Sequence, residues 1–229
     1  MFLLPEKMRI PLFFIFITFL NGQLSSQGLD IQILRAINSP EELPSDDFFR
    51  FISNSEPYVM FSVPVGMATA GFIKHDKTLI RNAYTGLAAL AVTGGISLAL
   101  KYSVNRERPF VTYPDIVQKS KAGSPSFPSG HTSSAFATAT SVSLAYPKWY
   151  IIVPSYTWAG TVGYSRMHLG VHYPSDVLAG ALIGSGCAYL TFKVNKKLLH
   201  KNNLHTAPCT NPVTNSPPSP LCLRKEGCL

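Results

Sequence analysis

Charge is scarce in this chain. Asp, Glu, Lys and Arg make up 14% of its 229 residues, against 46% hydrophobic ones. Acidic groups are scarcest, 12 beside 20 Lys and Arg, which leaves a formal charge of +8. The excess is not the footprint of a nucleic-acid binder, because the basic residues are spread between apolar runs with no stripe of interleaved aromatics. A charge excess on one face of a membrane accounts for it better, and nucleic acid is not expected as a partner. Cysteine is sparse as well. Cys187 stands alone in an Ala/Gly-rich run, and Cys209, Cys222 and Cys228 fall in a polar tail, with spacings that match neither zinc ligands nor a disulfide framework. No His/Asp/Glu cluster has metal-ligand spacing either, so neither a metal nor a cofactor is expected. Apolar runs of full membrane-spanning length are also missing, so a buried soluble helix stays open for any single run.

What is present begins with a leader. Lys7 and Arg9 precede an apolar run from Ile10 to Leu20, and a small, polar stretch follows to Gln27. This reads as a secretory signal peptide over residues 1–26, or an uncleaved anchor. Residues 27–57 form a polar, acidic segment with a short amphipathic helix near Ile31–Ile37 and no chemistry of its own. Residues 58–200 hold five apolar segments, Tyr58–Ile73, Thr85–Lys101, Ser133–Tyr146, Trp149–Tyr164 and Val177–Phe192. They are longer than ordinary strands, lack period-two alternation and are rich in Ala, Gly, Ser and Thr. The fold class expected is all-α, a bundle of about five closely packed helices embedded in a membrane. Residues 201–229, rich in Pro, Ser, Asn and Thr, read as a disordered tail.

Loop charges give the orientation. With the leader's N-terminus inside, alternating the segments puts Lys74, Lys77, Arg81, Lys148, Lys193, Lys196, Lys197 and Lys201 on the inner face. The outer face then receives the loops 106–127 and 165–175, and with them every motif that carries chemistry. A bacterial inner membrane with the site facing the periplasm is the expected location. A soluble periplasmic protein is the alternative, because the apolar segments are short.

The chemistry sits in three short stretches. Lys101 and Arg108-Pro109 close the second segment; Pro109 disfavours helix at Arg108, so the helix ends between the two cations. Pro128-Ser129-Gly130-His131 opens the third, where backbone N–H groups and the helix dipole make an anion site to which Ser129 adds a hydroxyl. Ser165-Arg166 closes the fourth segment, and Pro174 sets the start of the fifth near His172–Ser175. His172 and Asp176, four residues apart, can then share a face, with the carboxylate fixing one ring nitrogen and freeing the other as a nucleophile. His168, in the same loop, is read as supporting. Each stretch alone has an ordinary explanation, such as juxtamembrane basic residues, an N-cap turn or a surface histidine.

Taken together, the order and spacing of these residues resemble the three-part signature of the type 2 phosphatidic acid phosphatase / vanadium haloperoxidase superfamily, over about Tyr58–Lys197. The resemblance implies an all-helical fold, His172 as nucleophile, His131 as acid/base and Asp176 as its orienting carboxylate. Lys101, Arg108, Ser129, Gly130 and Arg166 would hold the phosphate, with no metal, and vanadate would bind as a phosphate mimic. The expected activity is hydrolysis of phosphomonoesters or diphosphates, of membrane lipids or of small soluble esters, through a phosphohistidine. A vanadate-dependent haloperoxidase and an inert membrane scaffold of the same fold are the rivals. The residues do not separate phosphatidic acid, phosphatidylglycerol phosphate, a polyprenyl diphosphate and lipid A phosphate.

Overall fold

The computed structural model describes residues 28–206, with side chains to residue 198. The leader 1–26 and most of the tail lie outside the described residues. Among the described residues seven helices run in order: α1 (residues 28–37), α2 (Ser45–Ile73), α3 (Lys77–Val104), α4 (Pro109–Thr112), α5 (Gly130–Ala145), α6 (Trp149–His168) and α7 (Pro174–Thr206). No strand occurs among the described residues. The five apolar segments are α2, α3, α5, α6 and α7, as the periodicity predicts. The compact unit that holds them ends at Phe192; residues 193–206 are helical and begin a second unit.

Helix ends follow local chemistry. Asp76 caps α3 by accepting from Thr78 N at 2.8 Å and Leu79 N at 3.2 Å. At the other end Asn105 takes the left-handed conformation (φ 47°) and its N–H closes on Lys101 O. The chain therefore turns away sharply just after Lys101. α2 begins at Ser45, thirteen positions before the apolar run that predicts it. Its first turns carry Asp46, Ser53 and Glu56 inward, all buried. The inner face there is polar because it meets polar partners, so hydrophobic periodicity has nothing to register.

Small residues set the packing. Ala135 and Ala139 of α5 meet Ala159 and Val162 of α6, and Ala137 meets Ala89 of α3 and Ala188 of α7. α7 lies so close to α5 that a Cβ on Gly184 would stand 2.1 Å from Ser133 O and 3.0 Å from Ala137 N. Only glycine allows that approach. Outward positions are apolar instead: Val92, Ile96 and Leu98 on α3 and Leu178, Leu182 and Leu190 on α7 are all exposed. Both helices are long and apolar enough to cross a membrane, over Lys77–Thr112 and Pro174–Leu198. An apolar belt facing outward over an alanine- and glycine-rich interior fits helices packed within lipid.

The site end of the bundle is covered by the N-terminal segment and the loop from Tyr113 to Pro128. Ile31 and Leu34 of α1 pack with Ile116 and Tyr173. Asn38 donates to Val117 O and His168 O and accepts from Val117 N. Below it, Asp46 accepts from Lys119 Nζ at 2.7 Å and lies 2.6 Å from His168 Nε2, while Lys119 also donates to Glu41 O. Burial would raise the Asp46 carboxyl, but the Lys119 ammonium, the Leu43 N–H and His168 outweigh it and hold it at about 2. His168 thus takes the supporting place read from its position.

Two measurements test these contacts. Gly184→Ala should cost about 1–3 kcal/mol by overpacking, whereas Gly186→Ala, with nothing within 4 Å of its added methyl, should leave the melting temperature unchanged or slightly higher. Equal behaviour of the two would mean that α7 does not approach α5 so closely. The folded Asp46 value lies below the ordinary carboxylate value of about 3.9. Its stabilisation is therefore complete above that value and is lost as pH falls toward 2. Asp46→Asn should melt lower than wild type at neutral pH and lose less on acidification; parallel curves would remove Asp46 from the network.

Candidate active site

All three motifs sit at one end of the bundle, at the C-terminal ends of α3 and α6 and the N-terminal ends of α5 and α7. Lys101, in the last turn of α3, donates from Nζ to Pro125 O at 2.6 Å. Arg108 lies beyond the Asn105 turn as the extended residue before Pro109 of α4. Its Nε donates to Ser124 O at 2.7 Å and its Nη1 to Val171 O at 2.8 Å. Both cations are nearly buried and are anchored by neutral carbonyls, so neither is paired directly with a carboxylate. Arg166, at 3% exposure, donates from Nη1 to the Ser53 hydroxyl, and its Nε is buried with no hydrogen-bond partner among the described residues. Glu56 accepts from the Ser134 hydroxyl and acts on Arg166 through its charge.

α5 opens with its glycine turn beside Lys101. Ser129 is its N-cap and donates its N–H to Asp176 O at 3.1 Å, which ties α5 to the start of α7. A Cβ on Gly130 would stand 4.0 Å from Lys101 Cε, so the glycine turn and the lysine share one space. The first N–H groups of a helix have no intrahelical acceptor and point where an anion binds. His131 follows, half-buried. Burial, and then the charges of Arg166, His172, Arg108 and Lys101, push its ring down to about 3.

His172 is placed by the loop between α6 and α7. Gly170 takes a positive φ of 69°, and a Cβ there would stand 2.3 Å from Val117 O. The loop turns at this point under the covering segment. His172 therefore precedes α7, and the carboxylate of Asp176 reaches back to it from the first turn. Asp176 accepts the Tyr173 N–H at 3.1 Å, half of a capping box at the N3 position. The same Oδ2 lies 3.5 Å from His172 Nδ1 and accepts from the Ser126 hydroxyl. His172 Nε2, on the other side of the ring, is 3.4 Å from Arg108 Nη1. Burial drives the His172 ring down to about 4 against the opposing pull of Asp176, so it is neutral near neutral pH. With Asp176 as acceptor, Nδ1 carries the proton and Nε2 presents its lone pair.

Sequence reasoning places each of these residues at this end, but it misses their partners. The segment 27–57, read as without chemistry, supplies Asp30, Ser53 and Glu56. Ser124 and Ser126, in the loop, and Arg106, two residues before Arg108, also belong to the site. A signal existed only for Arg106, which stands in the basic run Asn105-Arg106-Glu107-Arg108. Beside the cations an apolar groove of about 440 Å³, lined by Met60, Phe61, Leu87, Ala91 and Leu98, reaches Lys101 and Gly130.

The chain is similar to known proteins in sequence and in fold. The family model of the PAP2 superfamily matches residues 83–199. An undecaprenyl-diphosphatase of Sulfolobus acidocaldarius is 30% identical over 182 residues, which is 79% of this chain and 84% of that one. A lipid A 4'-phosphatase of Bacteroides thetaiotaomicron is 34% identical over 94 residues, 41% of this chain and 42% of its own length. The fold is also that of the first transmembrane PAP2 type phosphatidylglycerolphosphate phosphatase from Bacillus subtilis, with a TM-score of 0.65 over 81% of this chain and 94% of that one at 23% identity. A match that covers the three motifs and the helices carrying them, with a relative aligned over most of both chains, means that the chain belongs to the PAP2 superfamily and is a membrane phosphoric ester hydrolase.

Proposed function

We propose that the protein removes the terminal phosphate of a polyprenyl diphosphate at the outer face of the bacterial inner membrane, through a phosphohistidine on His172. The observation that carries the reaction is the neutral, buried His172, with Nδ1 toward Asp176 and Nε2 beside Arg108. Lys101, Arg108, Arg166, the Ser129 hydroxyl and the N–H groups at Gly130 hold the phosphoryl oxygens and stabilise the charge of the transition state. Nε2 attacks phosphorus in line, the bond from phosphorus to the leaving oxygen breaks, and Nδ1 keeps its proton against Asp176. His131 serves the leaving oxygen and then takes a proton from the water that cleaves the phosphohistidine. The fixed cations supply the charge that a metal ion supplies elsewhere.

One observation favours a diphosphate: a relative aligned over 84% of its length is an undecaprenyl-diphosphatase. The groove beside Lys101 offers an apolar chain a path to the site. The outer face is inferred from Lys74, Lys77, Arg81 and Lys148, which lie at the helix ends opposite the motifs.

Phosphate release by purified protein in detergent tests the substrate. Polyprenyl diphosphate should be turned over faster than phosphatidic acid, lipid A phosphate or small phosphomonoesters; preference for any of these would replace it. Sealed spheroplasts should hydrolyse a non-permeant aryl phosphate, and turnover only after lysis would reverse the orientation. Because the nucleophile is the neutral ring, kcat/KM should fall as pH drops through about 4.

The histidines should separate. His172→Ala should abolish turnover and phosphoenzyme together. His131→Ala should spare phosphoenzyme formation from an activated aryl phosphate more than from an alkyl one, and should let the phosphoenzyme accumulate. Label trapped on His172→Ala after rapid quench, or the same leaving-group dependence in both variants, would overturn the assignment.

A further inference from the structure

Asp176 is fully buried, and both of its oxygens are engaged. Oδ2 faces His172, Ser126 and the Tyr173 N–H. Oδ1 accepts from Arg106 Nη1 at 2.7 Å. The same Nη1 reaches the Ser175 hydroxyl at 2.7 Å, and Nη2 donates to Asp30 Oδ2 at 2.9 Å. The guanidinium lies over the Tyr173 ring, 3.9 Å from its centroid. Asp30, from α1, also accepts the Ser175 N–H at 2.9 Å and the Ser175 hydroxyl. Arg106 acts through its backbone as well, since its carbonyl accepts the Ser126 N–H at 2.8 Å and Ser126 in turn donates to Oδ2. One residue therefore supports both oxygens of the carboxylate, one directly and one through Ser126.

We infer that Arg106, backed by Asp30, is a positioning residue that fixes the Asp176 carboxylate so that Oδ2 faces His172 Nδ1 and the ring's Nε2 is aimed at phosphorus. The inference rests on His172 being the nucleophile. A buried carboxylate between several cations has more than one favourable orientation, because Lys101 and Arg108 also act on it. A planar guanidinium gripping Oδ1 selects one of them. Asp30 fixes the guanidinium from the far side and stands before residue 83, where the family match begins. The site is thus completed by a segment outside the family match. Arg106 hydrogen-bonds neither to the ring of His172 nor to the carbonyls that hold the phosphate-binding cations, so its effect should fall on chemistry and not on phosphate binding.

The test uses the full chain in detergent with an aryl phosphate. It measures kcat per titrated active site, KM, and inhibition by orthovanadate, which is expected to occupy the phosphate cradle. Arg106→Gln should lower kcat by about 10- to 100-fold, the cost of losing an outer partner of a metal-bound histidine taken over to this one, with KM and the orthovanadate inhibition constant little changed. Arg106→Lys keeps a charge for Oδ1 but cannot span Asp30 as well, and should recover part of the loss. Asp30→Asn should show a smaller fall of the same kind, and it decides the matter if Arg106→Gln does not fold. KM and orthovanadate inhibition weakening in step with kcat would make Arg106 a phosphate ligand. Unchanged kcat per active site, with fewer sites titrated, would make it structural only. Either result overturns the inference while leaving wild-type turnover intact. Wild type that forms no phosphoenzyme would instead sink the proposed reaction.

Discussion

Three positive charges held together at the end of an apolar bundle are the constraint on which the rest of the site depends. Lys101, Arg108 and Arg166 are each less than a tenth exposed, and all three bear on His131. Like charges in a poorly solvated place repel strongly. Direct carboxylate partners would relieve the repulsion and also cancel the field that a phosphate needs. The structure instead spends neutral dipoles on Lys101 and Arg108, through the carbonyls of Pro125, Ser124 and Val171. Arg166 meets the Ser53 hydroxyl and keeps Glu56 at charge range. The charge is anchored without being consumed, which is the preorganisation that phosphoryl transfer needs.

That anchoring explains why a loop with little secondary structure is so firmly covered. The carbonyls that hold Lys101 and Arg108 belong to the segment between α4 and α5 and to the loop before α7, and neither has a sheet or helix to keep it in place. Their fixity comes from elsewhere: Asn38 on Val117 and His168, Lys119 on Asp46 and Glu41, and the Ile31, Leu34, Ile116 and Tyr173 cluster. The N-terminal segment thus does for the site what a scaffold element does in other enzymes. Close packing completes the geometry. Gly184 lets α7 settle on α5, and Ser129 N then meets Asp176 O, so the turn that opens α5 and the residue that carries the buried carboxylate share one backbone contact.

The motif residues were legible as a set because cations, a glycine turn, two histidines and a carboxylate are the types a phosphate site requires, and the structure brings them to one end of the bundle. The five helices were legible because alanine, glycine and apolar runs of that length admit little else. The partners were not. Asp30 lies 146 positions from Asp176 in the chain, and its meeting with Arg106 and Ser175 exists only once α1 has packed on the loop. Ser126 is one serine among several in a proline-rich loop, and nothing local marks it as a donor to Asp176. The early start of α2 was hidden for a related reason: Asp46, Ser53 and Glu56 form an inward polar face, which a pattern of apolar periodicity reads as solvent-exposed chain.

The low values of the two histidines follow first from burial and then from the same cations, and in the proposed reaction they divide the labour between the rings. His172 is opposed by Asp176 on one side and Arg108 on the other, and burial settles it as neutral, the form in which Nε2 can attack. His131 has no carboxylate among the groups that act on it and lies lower still. A phosphate entering the cradle adds negative charge beside Lys101, Arg108 and Arg166, and so cancels much of the field that depresses His131. Its proton affinity then rises when substrate is present, and falls again when phosphate leaves. In the reaction proposed above, His131 is in this way coupled to occupancy of the site: neutral when the cradle is empty, and able to hold a proton at the stage when the phosphohistidine awaits water.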